Sequence, residues 1–167
     1  MNILVCGFMG SGKTTFVESF RDNSLGFDCV DLDTAVASNL GIMPTELGEW
    51  ITKFGLASFR QKEITVLRHL LENRMMKIIA LGGGTIEAPG YSELTSQAKT
   101  VFLNVPFETC YSRIKNDPNR PLTALGEQAL QDLYNKRIPK YLTSDLCLSG
   151  PEIKEIVSLS SLVHNLS

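Results

Sequence analysis

The sequence predicts an α/β protein in three layers, a parallel β-sheet with helices on both faces. Two patterns carry that prediction. Five short apolar runs alternate with longer segments of helical period, which implies right-handed βαβ crossovers. The residues suited to ligand chemistry fall directly after strands, at the carboxyl edge where open α/β sheets bind ligands. The 167 residues fit one domain, 1–167, with no repeat or Pro/Ser linker to divide it.

The elements follow in order. Asn2–Cys6 reads as a buried strand, and Lys13–Arg21 as the helix after it. Phe27–Val30 is a weaker second strand. Asp33–Leu40 is a short helix that Gly41 ends. Thr45 to Glu72 has helical spacing, broken near Gly55. Leu47, Trp50, Ile51 and Phe54 form one apolar stripe; Phe59, Ile64, Leu67 and Leu71 form another. Trp50 is expected in the core. Lys77–Leu81 is a third strand running into Gly82, Gly83 and Gly84. Thr100–Val105 is a fourth, followed by a helix over Phe107–Lys115. Asn116–Leu125 is a loop with Pro118 and Pro121. Gly126–Lys136 is helical, with Pro139 expected to bend or end the helix. Leu146–Leu148 is a fifth strand, and Glu152–Leu166 a closing amphipathic helix.

Composition excludes several classes. The hydrophobic fraction is 43%, the charged fraction 20% and the formal net charge −2. That balance lacks the basic excess of a nucleic-acid or membrane-surface protein. Cys6, Cys29, Cys110 and Cys147 are widely spaced without a C-x-x-C pair, and are expected as buried small hydrophobes in a reducing cytoplasm. No basic segment precedes the first strand, so no signal peptide is expected. No apolar run approaches the ~18 residues of a membrane span.

Gly7-x-x-x-x-Gly12-Lys13-Thr14 matches the phosphate-binding pattern G-x-x-x-x-G-K-[ST]. Its glycines let the backbone wrap a phosphate and turn N–H groups inward. The next helix offers its positive end. Gly10, Ser11, Gly12, Lys13, Thr14 and Thr15 are the expected contacts to a nucleoside triphosphate. Lys13 reaches the β/γ-phosphates, and Thr14 supplies a hydroxyl to Mg²⁺.

The acceptor side rests on four further patterns. Asp31-Leu32-Asp33 brings two carboxylates to the cleft, one for Mg²⁺ and one for a substrate hydroxyl. The same pair also fits a plain cap, with Asp33 as the N-cap and Asp31 exposed. Arg60 and Glu63 share a helix face. They suit either a surface ion pair or an arginine held rigid to meet a carboxylate. Gly82 to Gly84 either bring backbone close to a ligand or form only a flexible turn. Arg120, in the Pro-bearing loop, is either a candidate lid arginine for the transferring phosphoryl group or a solvated surface charge. Arg113 and Arg137 can reach the cleft or remain solvated.

As a set, these motifs resemble the shikimate kinase family from Gly7 to about Tyr141. The resemblance rests on the phosphate loop, Asp31-x-Asp33, Phe59-Arg60-x-x-Glu63, Gly82–Gly84, Arg120-Pro121-Leu122 and Arg137-x-Pro139-x-Tyr141. It implies a P-loop kinase fold, related to nucleoside monophosphate kinases, with a five-stranded parallel sheet and a lid loop near 112–125. It also implies transfer of the ATP γ-phosphate to the 3-hydroxyl of shikimate, in the pathway to chorismate and the aromatic amino acids. Lys13, Asp33 and Arg120 are then catalytic, and Thr14 and Asp31 hold Mg²⁺. Arg113 and Arg120 join the ATP contacts. Asp33, Arg60, Gly82, Gly83, Gly84 and Arg137 bind shikimate, with Arg60 and Arg137 clamping its carboxylate.

The chain departs from the usual family pattern at Thr123, at Gly55-Leu56, and at Leu148-Ser149-Gly150, where an adenine-stacking arginine is common nearby. A monomer acting in the cytoplasm on small molecules is expected, without nucleic-acid or membrane partners. The competing readings are a kinase for another hydroxy acid such as gluconate, and a non-catalytic ATP-binding module.

Overall fold

Apolar residues on both sides of the strands require cover on both faces, and the computed structural model provides it. It describes residues 1–21, 26–117 and 125–166. The strands are β1 (Asn2–Cys6), β2 (Phe27–Asp31), β3 (Met76–Ala80), β4 (Ala98–Asn104) and β5 (Leu146–Ser149). All pair in parallel in the order β2-β3-β1-β4-β5. Alternation along β1 sends Leu4 and Cys6 into one apolar cluster and Ile3 and Val5 into the other. The first cluster packs against Leu67, Phe102 and Tyr141, and the second against Phe16, Phe20 and Leu162.

The helices are α1 (Lys13–Glu18), α2 (Leu32–Leu40), α3 (Leu47–Phe54), α4 (Leu56–Glu72), α5 (Tyr91–Thr95), α6 (Phe107–Ile114), α7 (Glu127–Tyr141), α8 (Gly150–Glu155) and α9 (Leu159–Asn165). Short 3₁₀ turns cover Pro44–Glu46 and Thr85–Glu87. Gly41, at φ 70°, ends α2, and Gly55, at φ 89°, separates α3 from α4. Because β1 lies between β3 and β4, the crossovers from its two sides diverge above its carboxyl end. Such a switch point opens a crevice there. No described helix is long and apolar enough to cross a membrane.

Several expectations need correction. The first helix stops at Glu18 rather than Arg21. Helix α7 continues through Pro139 to Tyr141. Tyr141 gives the extension its reason: it is fully buried, with its ring stacked 5.0 Å from Phe102. The closing helix is two helices. Ile156 and Leu162 are both buried, yet six residues apart on one helix they would point about 120° apart. The break lets both reach the sheet, and Ser158 caps α9 by accepting from the Ser161 N–H. Cys6, Cys29 and Cys110 are buried, but Cys147 is exposed, facing away from the neighbouring buried Leu148 on edge strand β5. Trp50 is only partly buried, its ring centroid 4.8 Å from that of the half-exposed Phe54.

Candidate active site

The chain leaves β1 at the crevice and wraps residues 7–12 around it before α1 begins. Phe8 anchors this loop: it is buried, with its ring centroid 5.2 Å from that of Tyr134. Gly12 adopts φ 92° at the N-cap of α1, a left-handed conformation that side chains disfavour. Lys13 is buried and donates from Nζ to the Gly7 and Phe8 carbonyls at 2.9 and 3.0 Å. The Ser11 hydroxyl is buried without a partner among the described residues. A cleft of about 820 Å³ runs past this loop; Thr14, Asp31, Asp33, Gly82, Gly83 and Arg113 also line it. Thr15 lines it too, and Arg113 donates to the Gly10 carbonyl at 2.9 Å.

The two aspartates after β2 divide their work. Asp31, not Asp33, is the N-cap of α2: its Oδ1 accepts from the Thr34 N–H at 2.9 Å. Its Oδ2 accepts from the Thr14 hydroxyl at 2.7 Å. This pairing of a carboxylate with a hydroxyl supplies hard oxygen donors beside the phosphate loop, a set that suits Mg²⁺. Asp33 sits in the first turn of α2 and faces the cleft. Burial, then the charges of Glu63 and Asp31, push its pKa up to about 6 against the pull of Lys13 and Arg60. A carboxylate titrating there is ionised at neutral pH yet basic enough to take a proton.

The triple glycine brings the rest together. A Cβ on Gly82 would lie 2.6 Å from Glu63 Oε1 and 3.0 Å from Asp33 Oδ1. A Cβ on Gly84 would lie 2.0 Å from Arg60 Nη2 and 2.7 Å from Arg137 Nη2. These glycines leave room for close approach: Asp33 and Glu63 meet over one, and the two guanidinium groups meet over the other. Glu63 is fully buried, so its bond from Arg60 is not a surface ion pair. Its second oxygen accepts from the Thr85 hydroxyl at 2.6 Å. Arg137 is buried, and its Nη1 has no partner among the described residues. An unpaired buried donor costs about 1–3 kcal/mol. The two such atoms among the described residues are Ser11 Oγ, in the phosphate loop, and Arg137 Nη1, on the guanidinium whose Nη2 lies beside Gly84.

The structure thus gathers Gly10 to Thr15, Asp31, Asp33, Arg60, Gly82 to Gly84, Arg113 and Arg137 around one sheet edge. Arg120 lies outside the described residues, as do residues 118–124 of the expected lid, and residues 112–114, expected in the lid, belong to α6 instead. Sequence reasoning missed Thr85, Glu87 and the apolar wall of Ile153, Ile156 and Val157 with Lys154. Glu87 accepts from Arg137 Nε at 2.8 Å. Burial raises its pKa, but the hydrogen bond and nearby cations outweigh this and leave it below the usual carboxylate range. Nothing in the spacing of Thr85 or Glu87 marks them. Tyr141 stands in a quoted motif without a role; its hydroxyl donates to the Gly83 carbonyl at 2.5 Å. No cluster of three metal-ligating side chains occurs among the described residues.

Residues 9–163 match the family model for shikimate kinase. The shikimate kinase of Lactococcus lactis is 36% identical over 160 residues, which cover 91% of this chain and 92% of that protein. The solved structure of shikimate kinase from Acinetobacter baumannii in complex with shikimate superposes with a TM-score of 0.81. It is 29% identical, and the match covers 99% of this chain and 95% of that one. A gluconokinase from Sinorhizobium meliloti, at 16% identity and TM-score 0.61 over 99% of this chain and 90% of that one, shares the fold alone.

Proposed function

The chain belongs to the shikimate kinase family, and on that footing we propose that it transfers the γ-phosphate of ATP to the 3-hydroxyl of shikimate. The observation that carries this reading is the pair of guanidinium groups over Gly84, one with a buried unpaired Nη1, beside a cleft-facing carboxylate. A small polyol acid needs that combination: a bidentate cationic clamp and a group to bind its hydroxyls.

Lys13 leaves the Gly7 and Phe8 carbonyls to hold the phosphates, while the loop's N–H groups and the Ser11 hydroxyl cradle them. Thr14 and Asp31 would hold Mg²⁺, which supplies charge neutralisation on the phosphates when bound. Arg60 and Arg137 fix the acceptor by its carboxylate. Asp33 orients the 3-hydroxyl and accepts its proton as the oxygen bonds to phosphorus and ADP departs. Most of the rate comes from positioning and charge, as is usual in phosphoryl transfer. Arg113 borders the nucleotide, and Arg120 supplies positive charge to the transferring phosphoryl group. The chain acts as a single cytoplasmic kinase domain and as a monomer.

The test is a coupled ATP-consumption assay with shikimate against a panel of hydroxy acids that includes gluconate. Turnover with shikimate is expected. Turnover of gluconate and not shikimate would overturn the acceptor assignment. Tight ATP binding with no phosphorylated product from any acid would overturn catalysis itself.

A further inference from the structure

Glu87 has no part in the chemistry above, yet it makes the one described hydrogen bond at the Nε of Arg137, at 2.8 Å. Arginine presents its donors as a rigid planar fork, so fixing the Nε–H direction fixes where both Nη groups point. Here Nη2 lies against Gly84, and Nη1 is buried and unpaired among the described residues. Two guanidinium groups brought together over Gly84 repel each other unless each has its own anion. Arg60 has Glu63, and Arg137 has Glu87. Both arrangements depend on one 3₁₀ turn, Thr85–Glu87. Thr85 holds Glu63, and Glu87 holds Arg137. The turn is set by the glycines before it, through Thr85 N–H to the Gly82 carbonyl at 3.2 Å and Glu87 N–H to the Gly84 carbonyl at 3.0 Å.

We propose that Glu87 is a positioning residue for the acceptor clamp: by holding Arg137 at Nε, it presents the Nη edge beside Arg60 to the substrate carboxylate. The proposal rests on the carboxylate acceptor argued above. It makes a prediction opposite to that of charge alone. A carboxylate near an anion subsite repels the anion, so if only its charge mattered, removing Glu87 would tighten acceptor binding. If it positions Arg137, removal loosens it.

The experiment measures steady-state kinetics on the full chain for Glu87→Ala, Glu87→Gln, Arg137→Ala and the Glu87→Ala/Arg137→Ala double variant. Glu87→Ala is expected to raise the shikimate KM about tenfold or more, with kcat and the ATP KM within about twofold of the parent. Glu87→Gln keeps an oxygen that can accept from Nε and is expected to stay within about threefold. In the Arg137→Ala background, Glu87→Ala is expected to add nothing, because its effect passes through that arginine. The proposal is overturned if Glu87→Ala leaves the acceptor KM unchanged or lowers it, or if Gln and Ala behave alike. A parallel rise in the ATP KM, marking a merely structural role, also overturns it. Failure of the parent enzyme on shikimate would overturn the function instead, and the Glu87 comparison is then read on whichever acid of the panel the parent does phosphorylate.

Discussion

Gly84→Ala isolates the acceptor clamp better than any change to the arginines themselves. Gly84 has φ −117° and ψ 4°, which an alanine adopts without left-handed strain. The perturbation is therefore the added methyl alone. Its carbon would stand 2.0 Å from Arg60 Nη2 and 2.7 Å from Arg137 Nη2, where ordinary contact begins at 3.4 Å. The end of Arg60 must retreat by roughly 1.4 Å, and misplacement of about 1 Å at a positioning group can cost on the order of a hundredfold. Loss of one charged hydrogen bond, about 1.5–3 kcal/mol, brackets the same effect at roughly ten- to 150-fold. The phosphate loop is untouched. We expect kcat/KM for shikimate to fall by roughly ten- to 100-fold with the ATP KM within about twofold, read in a coupled assay with each substrate varied in turn. A shikimate kcat/KM within twofold of the parent would refute the reasoning. So would an equal rise in the ATP KM, since the damage would then not be confined to the clamp.

Other changes separate the remaining roles. Arg60→Lys keeps the charge and loses the planar fork, so the shikimate KM is expected to rise about tenfold or more while the ATP KM holds; an unchanged shikimate KM would remove Arg60 from the clamp. Asp31→Asn retains an N-cap oxygen for α2 but loses the charge, so the Mg²⁺ concentration for half-maximal rate is expected to rise about tenfold with little change in melting temperature. Asp33→Asn is expected to abolish turnover while ATP binding, followed by calorimetry, survives. Because the Asp33 pKa is raised on folding to about 6, the native state holds the extra proton, and its stabilising effect is lost as pH rises through about 6. Asp33→Asn should therefore gain up to about 3 kcal/mol over the parent at pH 8 and nothing at pH 3.5, read from denaturant melts at both pH values.

The phosphate loop and the sheet were legible because each is written locally. A strand such as Asn2–Cys6 is buried on both sides and reads as an unbroken apolar run. Gly12-Lys13-Thr14 must be adjacent in sequence to wrap one phosphate. The acceptor site is assembled from four distant segments, and there the sequence showed residue types without their partners. Arg60 with Glu63 was visible as a spacing, but burial of Glu63 comes from α4 packing over the glycine turn. The division between Asp31 and Asp33 turned on one residue of helix register, which local pattern does not fix. Glu87 left no trace: a single acidic residue on a 3₁₀ turn acquires meaning only when α7, 50 residues on, delivers Arg137 to it. The split between α8 and α9 was hidden for a similar reason, since the amphipathic period alone cannot tell that Ile156 and Leu162 must both reach the sheet.

The contacts of Lys13, Arg113, Arg60 and Arg137 imply different behaviour on the two sides of the proposed site. On the nucleotide side, Lys13 and Arg113 donate to carbonyls of the phosphate loop itself, at Gly7, Phe8 and Gly10. A phosphate must draw at least Lys13 away from those carbonyls, so its gain is the difference between two sets of hydrogen bonds. On the acceptor side, Arg60 and Arg137 are held by carboxylates from outside the substrate's path, through Nη1 and Nε respectively, and their Nη2 atoms already meet over Gly84. On the proposed reading, a substrate carboxylate would take up donors that need not leave a partner. On that reading the clamp is preformed, and its recognition is rigid because Glu63 and Glu87 hold the two arginines. Substitutions around the clamp should accordingly change which acid is accepted, whereas substitutions in the loop should change how tightly any nucleotide is held.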